Sequence, residues 1–179
     1  MSKAPTMILT EEKKKVTPAE FMQLNEVNVE LIDGEIVREP TPDYGHQFLS
    51  GNLYFKILQA LHANGKGQSV CAPMDVVLGE YVVQPDILFI STERLHIIVD
   101  GKITEAPDVV FELVSPSNAF NDTKRKFDIY ERYGVKEYFL VYPEDKTVVK
   151  YALQNNRYHE VYREKGMVTS EAMDCSFNF

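Results

Sequence analysis

Apolar residues recur along this chain with two different periods, and these periods predict the order of its elements. Segments with the strand period, or with a continuous apolar run, lie at residues 29–32, 36–37, 69–78, 82–90, 109–114, 137–142, 147–153 and 157–163. Segments with the helical period lie at about residues 18–24, 44–62 and 122–133. Hairpin-like pairs come first and a strand–helix–strand crossover follows. We therefore predict an α/β fold of the α+β type, in which helices flank a central mixed β-sheet.

Turn-forming and capping residues mark the ends of several of these segments. Thr17-Pro18-Ala19-Glu20 is a capping box with proline at the first helical position, so a short helix is predicted to begin there. Asp33-Gly34 is a two-residue turn signal between apolar runs and predicts a hairpin. Gly79-Glu80 separates the apolar segments 69–78 and 82–90, which predicts a second hairpin.

The chain is expected to form one domain with a tail at each end. Its 179 residues are enough for a single substantial core. Residues 1–16 have no clear period and include a charge run at 11–15, which predicts a flexible N-terminal tail. Residues 17–165 are assigned to the single domain. The sequence leaves the structure of the C-terminal tail, residues 166–179, open.

Net charge and cysteine content limit the classes of function. The formal net charge of −8 argues against broad nonspecific binding of nucleic acid, which needs an electropositive surface. A metal-dependent site remains compatible with this charge, because such a site adds carboxylates to the total. The two cysteines, Cys71 and Cys175, form no zinc or disulfide motif, and no apolar run is long enough to span a membrane. We expect a cytoplasmic protein without a membrane segment.

Two acidic residues interrupt strands that are otherwise apolar. Asp86 follows Pro85 at the start of one strand, and Glu112 lies inside another. Strands this apolar are usually covered on both faces, so such an acid must be paired, protonated or bound to a cation. Mg²⁺ prefers carboxylate, carbonyl and water oxygens, and typically takes one or two protein carboxylates. We predict that Asp86, Glu112 and the main-chain carbonyl of Leu113 hold Mg²⁺, for which Mn²⁺ can substitute.

Lys126 is the candidate cationic partner of these acids. On the predicted helix it shares one face with Ile129, Tyr130 and Tyr133, so it is the one charged residue of an apolar stripe. A lysine in such a position either extends to solvent or meets an acid. Beside a metal-bound phosphate it would orient the attacking water and offset the charge that develops in the transition state.

The motifs Pro85-Asp86 and Glu112-Leu113-Val114 resemble those of the PD-(D/E)XK nuclease superfamily. The chain resembles more closely the Uma-type family of predicted restriction endonucleases in that superfamily, over about residues 17–153. The segments that carry this resemblance are VELIDGEIV (29–37), His46, QPD (84–86), APDVVFELVSPS (106–117), Lys126 and YERYGVKEY (130–138). The resemblance implies a sheet-centred, restriction-endonuclease-like core, metal ligation by Asp86 and Glu112, and supporting roles in the catalytic site for Glu30 and His46.

The sequence departs from the superfamily pattern at one position. The lysine of the superfamily normally lies two residues after the acid, on the same strand face. Here that position is Val114. The family resemblance suggests that the lysine has moved to the following helix as Lys126, in agreement with the position of Lys126 on the apolar stripe.

Each candidate also has a purely structural interpretation. Asp86 could cap a turn after its proline, and Glu112 could form a plain salt bridge to the helical lysine. Glu30 could be the solvent-facing residue of a hairpin, and His46 could be a local hydrogen-bond donor near a helix start. For Asp75, another acid in an apolar strand, the structural interpretation is favoured over a place in the site.

Together these residues predict a metal-dependent DNA endonuclease that hydrolyses phosphodiester bonds with a metal-activated water, and that assembles as a homodimer. One alternative is an inactive nuclease fold that serves as a binding or regulatory homodimer, paired through edge strands. Another is a hydrolase of a smaller phosphoester. A basic groove leading to Asp86 would favour DNA and a closed small pocket would favour the smaller ester. A Lys126 turned away from the acids would favour the inactive fold.

Overall fold

The computed structural model describes residues 15–24, 26–115 and 119–179, and consists of short strands with a few helices. The helices are α1 (Pro18–Phe21), α2 (Tyr44–Asn64) and α3 (Phe127–Tyr133), with a 3-10 helix at Thr92–Ile97 and a π-helix at Asn121–Lys126. The strands are β1 (Val29–Ile32), β2 (Glu35–Arg38), β3 (Gly67–Cys71), β4 (Val76–Leu78), β5 (Tyr81–Val83), β6 (Ile87–Ser91), β7 (Ile98–Val99), β8 (Lys102–Ile103), β9 (Val109–Leu113), β10 (Glu137–Tyr142), β11 (Thr147–Gln154), β12 (Arg157–Lys165), β13 (Met167–Ser170) and β14 (Cys175–Asn178).

The central sheet has the strand order β12-β11-β10-β9-β6-β3. Strands β9 and β10 are parallel and the other neighbours are antiparallel. Every residue of β9 is buried, as expected of a strand that is covered on both faces. Helix α2 packs on one face through Leu53 and Ile57, and α3 packs on the other through Ile129 and Tyr130. The predicted α/β fold, with helices flanking a mixed sheet, is confirmed.

A second six-stranded sheet, which meets the central sheet, has the strand order β2-β1-β5-β4-β8-β7. Its strands show that one prediction was wrong. Segments 69–78 and 82–90 are not two continuous strands of a single hairpin. Each is divided, so that β3 and β6 join the central sheet while β4 and β5 join the second. Pro73 and Pro85 lie at the two breaks, and proline has no N–H to donate to a strand ladder. The chain therefore crosses between the sheets at residues 84–86.

Two local predictions are confirmed and a third is modified. The capping box of Thr17 and Glu20 begins α1, and Asp33-Gly34 forms the turn between β1 and β2. The helix predicted at 122–133 begins instead as a π-helix, and only its second half is an α-helix. The Tyr138 hydroxyl donates to the Asp122 carbonyl at 2.8 Å, so this carbonyl bonds outside the helical ladder. Wide turns of this kind are frequent at functional sites.

Residues 166–179, whose structure the sequence left open, form the hairpin β13–β14 and complete the core. Val168 and Met173 are fully buried in the cluster that includes α2. The buried Glu137 carboxylate accepts from Ser170 and ion-pairs with Lys150, which ties the hairpin to the central sheet.

At the other end of the chain, the tail predicted at 1–16 lies almost entirely outside the described residues. The exception is its end, where the Val16 N–H donates to the Gly34 carbonyl at 2.9 Å. Nowhere in the described part of the chain does a helix combine the length and hydropathy needed to cross a membrane.

Candidate active site

The predicted site residues gather where the two sheets meet. Asp86 directly precedes β6, Glu112 lies in β9, Lys126 ends the π-helix and His46 lies in the first turn of α2. These four residues line one cavity of about 350 Å³. The other lining residues are Asn28, Glu39, Pro40, Thr41, Pro42, Asp43, Ala72, Gln84, Leu113, Ser115 and Asp122. Glu30, the fifth predicted residue, does not line the cavity but lies behind it in β1, in contact with Lys126.

Lys126 is the centre of a buried ionic cluster. Its Nζ lies 2.9 Å from Glu30 Oε1 and 3.3 Å from Glu112 Oε1. Its third acidic neighbour is Asp122, with Oδ1 at 3.5 Å. Burial by itself would lower the pKa of Lys126, but Glu112, Glu30 and Asp122 outweigh this effect and raise the pKa well above its usual value. The ammonium is therefore held charged and turned toward the acids.

The surroundings of Glu112 in this cluster disfavour its ionised form. Its Oε1 accepts a hydrogen bond from the Tyr130 hydroxyl at 2.8 Å, in addition to the ion pair with Lys126. Burial raises the pKa of Glu112 well above its usual value; the lysine opposes this shift, and the carboxylates of Asp122, Asp86 and Glu30 add to it. Three carboxylates contact this one ammonium and a fourth, that of Asp86, lies near Glu112, so the cluster has an excess of acidic groups.

Asp122 is a member of the cluster that the sequence interpretation missed. Burial raises the pKa of Asp122 to about 7, against the attraction of Lys126 and with the added repulsion of Asp86 and Glu30. The signal that could have found it was its i, i+4 spacing to Lys126, since residues four apart share a helix face. The sequence did not show that this helix face points toward the cavity.

Asp86 connects the cluster to α2. Its Oδ2 accepts the Leu113 N–H at 2.7 Å and lies 3.5 Å from His46 Nε2. The hydrogen bond to Asp86 raises the pKa of His46, partly opposed by burial and assisted by the Leu113 backbone. The main-chain N–H of His46 donates to Asp43 Oδ1 at 2.8 Å. This bond caps α2 and fixes the position of the histidine.

Glu30 and Asp75 differ in their relation to the site. Glu30 is fully buried, so its interpretation as a solvent-facing hairpin residue is wrong. Its Oε1 accepts the Gln84 N–H at 2.7 Å in addition to the contact with Lys126. Asp75 accepts instead from Gln84 Nε2 at 2.8 Å and lies 3.9 Å from Lys102, away from the cavity lining, as its structural interpretation requires.

The residues present are compatible with a hard cation such as Mg²⁺ or Mn²⁺. In the described part of the chain, no three His, Cys, Asp or Glu side chains are placed to enclose a metal ion by themselves. Mg²⁺ does not require such an enclosure, because it binds through one or two carboxylates and keeps water and phosphate oxygens as its other ligands. The observation that fits a cation is the excess of carboxylates, of which Asp86, Glu112 and Asp122 line the cavity.

A mixed sheet with helices on its faces, and with acids and a lysine at one edge of its core, is the architecture of restriction-endonuclease-like proteins. More specifically, the chain belongs to the Uma2 family, described as "Putative restriction endonuclease", which matches residues 18–175. The recognition of this family from sequence is thereby confirmed.

One solved structure with the same fold is described as a putative nuclease belonging to DUF820 from Anabaena variabilis. It shares 21% sequence identity with this chain, over 89% of this chain and 91% of its own, with a TM-score of 0.74. No curated protein matches the chain.

Proposed function

We propose that this protein is a Mg²⁺-dependent endonuclease that hydrolyses phosphodiester bonds of DNA, with Mn²⁺ as a possible substitute. The observation that carries this proposal is the placement of Lys126 Nζ between Glu30 and Glu112, at the wall of a cavity that Asp86 also lines. Membership of a family described as "Putative restriction endonuclease" supports it. A purely structural ion pair would not need three acidic partners for one lysine.

The roles of the residues follow from their contacts. Asp86, Glu112 and the Leu113 carbonyl would hold the ion, which when bound polarises the phosphate and lowers the pKa of an attacking water. Lys126 would orient that water and offset developing negative charge. Glu30 holds the lysine in place from behind, at 2.9 Å. His46 positions Asp86, whose other hydrogen-bond partner is the Leu113 N–H.

The orientation of Lys126 argues against the inactive nuclease fold, because its ammonium faces the acids. Lys126 is the one lysine or arginine among the described lining residues, which include Glu39, Asp43 and the acids of the cluster. Because this lining is acidic, the approach of a phosphate would depend on a bound cation. The same features keep a smaller phosphoester as a second candidate substrate, since about 350 Å³ is the size of a small-molecule site.

The test combines calorimetric titration of Mg²⁺ and Mn²⁺ with two hydrolysis assays, on supercoiled plasmid and on bis-p-nitrophenyl phosphate. The variants are Asp86→Ala and, as a matched control, Asp75→Ala, which removes a neighbouring acid outside the cavity lining. We expect the wild type and the control to bind the ion and nick plasmid, and Asp86→Ala to do neither. Hydrolysis of the small diester alone would assign the second substrate class. Absence of ion binding in the wild type would reject the metal site.

A further inference from the structure

Helix α2 carries two apolar stripes on opposite sides, and only one of them is covered by the protein. Leu49, Leu53, Ile57 and Leu61 are buried against the central sheet. The exposed stripe contains Tyr44, Phe48, Phe55 and Leu58, whose exposed fractions are 82%, 60%, 58% and 40%. At 100° per residue these four positions and Gly51 fall on one face, opposite the buried leucines. Tyr44 and Phe48 already stack, with ring centroids 5.9 Å apart.

This exposed face also lacks carboxylate, lysine and arginine side chains. The exposed residues of α2, all of them described, are Tyr44, Gly45, Gln47, Phe48, Gly51, Asn52, Phe55, Leu58, Gln59, His62 and Ala63. None of them is Asp, Glu, Lys or Arg, although such residues make up 26% of the chain. A solvated helix face normally carries charges. Depletion of charge together with enrichment in aromatic residues is the composition of the centre of a protein–protein interface.

The order of residues in the stripe is nearly symmetric about Gly51. Tyr44 lies seven residues before Gly51, and Leu58 lies seven after it. Phe48 lies three residues before Gly51, and Phe55 lies four after it. If two copies of α2 cross antiparallel at Gly51, Phe48 of each faces Phe55 of the other, and Tyr44 faces Leu58. Two-fold interfaces require such self-complementarity.

Gly51 suits the crossing point of such a pair. A Cβ built at Gly51 would meet no atom within 4 Å, so the space above it is open to a second helix. Small residues at a crossing allow two backbones to approach closely, which brings the flanking aromatic rings into contact.

From these observations we propose that the exposed face of α2 binds a second copy of this chain, as an antiparallel helix pair crossing at Gly51. This inference does not depend on the proposed nuclease function. A fully exposed aromatic side chain can bury about 150–250 Å²; because Tyr44, Phe48 and Phe55 are only partly exposed, the three rings offer roughly 300–500 Å² per copy. A standard interface buries about 800 Å² per partner. The uncharged residues beside the stripe must add the rest, and we expect a dissociation constant in the micromolar range.

The chemistry of this face fits other occupants less well. DNA and single-stranded nucleic acids are bound through lysine and arginine, with aromatic rings added between them, and this face contains neither basic residue. Helices that lie on membranes also carry lysine and arginine beside their apolar stripe. Pairing through edge strands, which the sequence interpretation gave for the inactive-fold alternative, is opposed at the long edge strand β12 by its charged side chains, Arg157, Glu160, Arg163, Glu164 and Lys165.

The test is sedimentation velocity across low to high micromolar protein concentrations, on the wild type, Phe48→Glu and Phe55→Lys. Each variant places a charge against an apolar ring of the partner, so we expect its dissociation constant to rise about tenfold or more. An equimolar mixture of the two variants should form a heterodimer, because Glu at 48 then faces Lys at 55 while the other pair remains Phe against Phe. Val161→Glu, at an apolar residue of β12 that is 49% exposed, is the matched control and should dimerise as the wild type does.

Three outcomes overturn the proposal. If the wild type stays monomeric over the whole concentration range, it has no such interface. The stripe then binds something else, such as nucleic acid, or is covered by another part of the chain. Dimers weakened by Val161→Glu and not by the α2 variants are edge-strand dimers. Variants that do not pair when mixed contradict the antiparallel register. Unchanged melting temperatures of the single variants will show that loss of dimerisation is not loss of folding.

Discussion

Lys126 Nζ lies 3.3 Å from Glu112 Oε1, although the lysine belongs to a helix and the acid to a strand of the central sheet. The position two residues after Glu112, at which the resemblance to the superfamily would place the lysine, is Val114, directly after the end of β9. Val114 is buried in the core, and Lys126 approaches Glu112 from the end of the π-helix. The contact between the acid and the lysine is therefore made between two distant elements of the chain.

Glu112→Gln tests the metal role of the acid with little change in shape. We expect loss of Mg²⁺ binding in calorimetry, because an amide offers a weaker ligand and removes one negative charge. The fold should remain stable, since Lys126 keeps Glu30 and Asp122 as partners and the repulsion among the acids decreases. A collapse of the melting temperature in this variant, together with no effect of Mg²⁺ on the wild type, would mean that Glu112 is purely structural.

Lys126→Ala separates ion binding from cleavage. We expect Mg²⁺ binding to persist and plasmid nicking to be lost, because the carboxylates remain while the group that orients the water is absent. Removing one partner of a buried ionic cluster should also cost about 3–5 kcal/mol of stability, so the assays belong at low temperature. The gain in melting temperature on adding Mg²⁺ should exceed that of the wild type, since the ion then neutralises more uncompensated charge. Undiminished nicking would exclude the lysine from the mechanism.

Asp108 is predicted to be a structural acid outside the site, and its contribution should depend on pH. It is fully buried and contacts the Ser91 N–H at 2.8 Å, Arg94 at 3.2 Å and Lys136 at 2.7 Å. Burial raises its pKa, but Lys136 and Ser91 outweigh this and bring the pKa below its usual value. We expect Asp108→Asn to cost about 3 kcal/mol at neutral pH, measured by denaturant unfolding.

The sign of the pH effect follows from the direction of that shift. A lowered pKa means that Asp108 stabilises the fold above its unfolded pKa of about 3.9, and that this contribution is lost as pH falls through the folded pKa. The difference in unfolding free energy between the wild type and Asp108→Asn should therefore be constant near neutrality and shrink below about pH 4. A difference that grows on acidification would contradict the assignment.

Met173→Ala tests whether the C-terminal hairpin is part of the cooperative fold. Met173 is fully buried beside Val168 and α2, and truncation of a buried methionine typically costs about 2–5 kcal/mol. For a domain of this size that corresponds to a fall in melting temperature of several degrees. The control is Val161→Ala, an exposed position at which less than about 0.5 kcal/mol is expected. Equal melting temperatures for both variants would show that the hairpin unfolds independently.

Local patterns in the sequence were sufficient for the class of fold and for part of the site. Strand and helix periods report which residues are buried within one element. They located β9, β10, β11 and β12 of the central sheet, but they merged β3 with β4 and β5 with β6. The same reasoning singled out Glu112 as an acid in an apolar strand and Lys126 as the charge of an apolar stripe, and the structure brings the two together at 3.3 Å. The Uma-type family was recognisable from motifs whose order the fold preserves.

Only the tertiary structure decided which elements meet. The division of two predicted strands between two sheets depends on distant partners, which a periodicity cannot reveal. For the same reason the burial of Glu30 was not visible in its local hairpin. Its strand β1 pairs with β5, and Lys126 contacts Glu30 from the π-helix. Asp122 entered the cluster because its helix face points into the cavity. A sequence pattern indicates which side chains are buried. The charges and surfaces that surround a buried side chain are set by contacts between segments that are far apart in the chain.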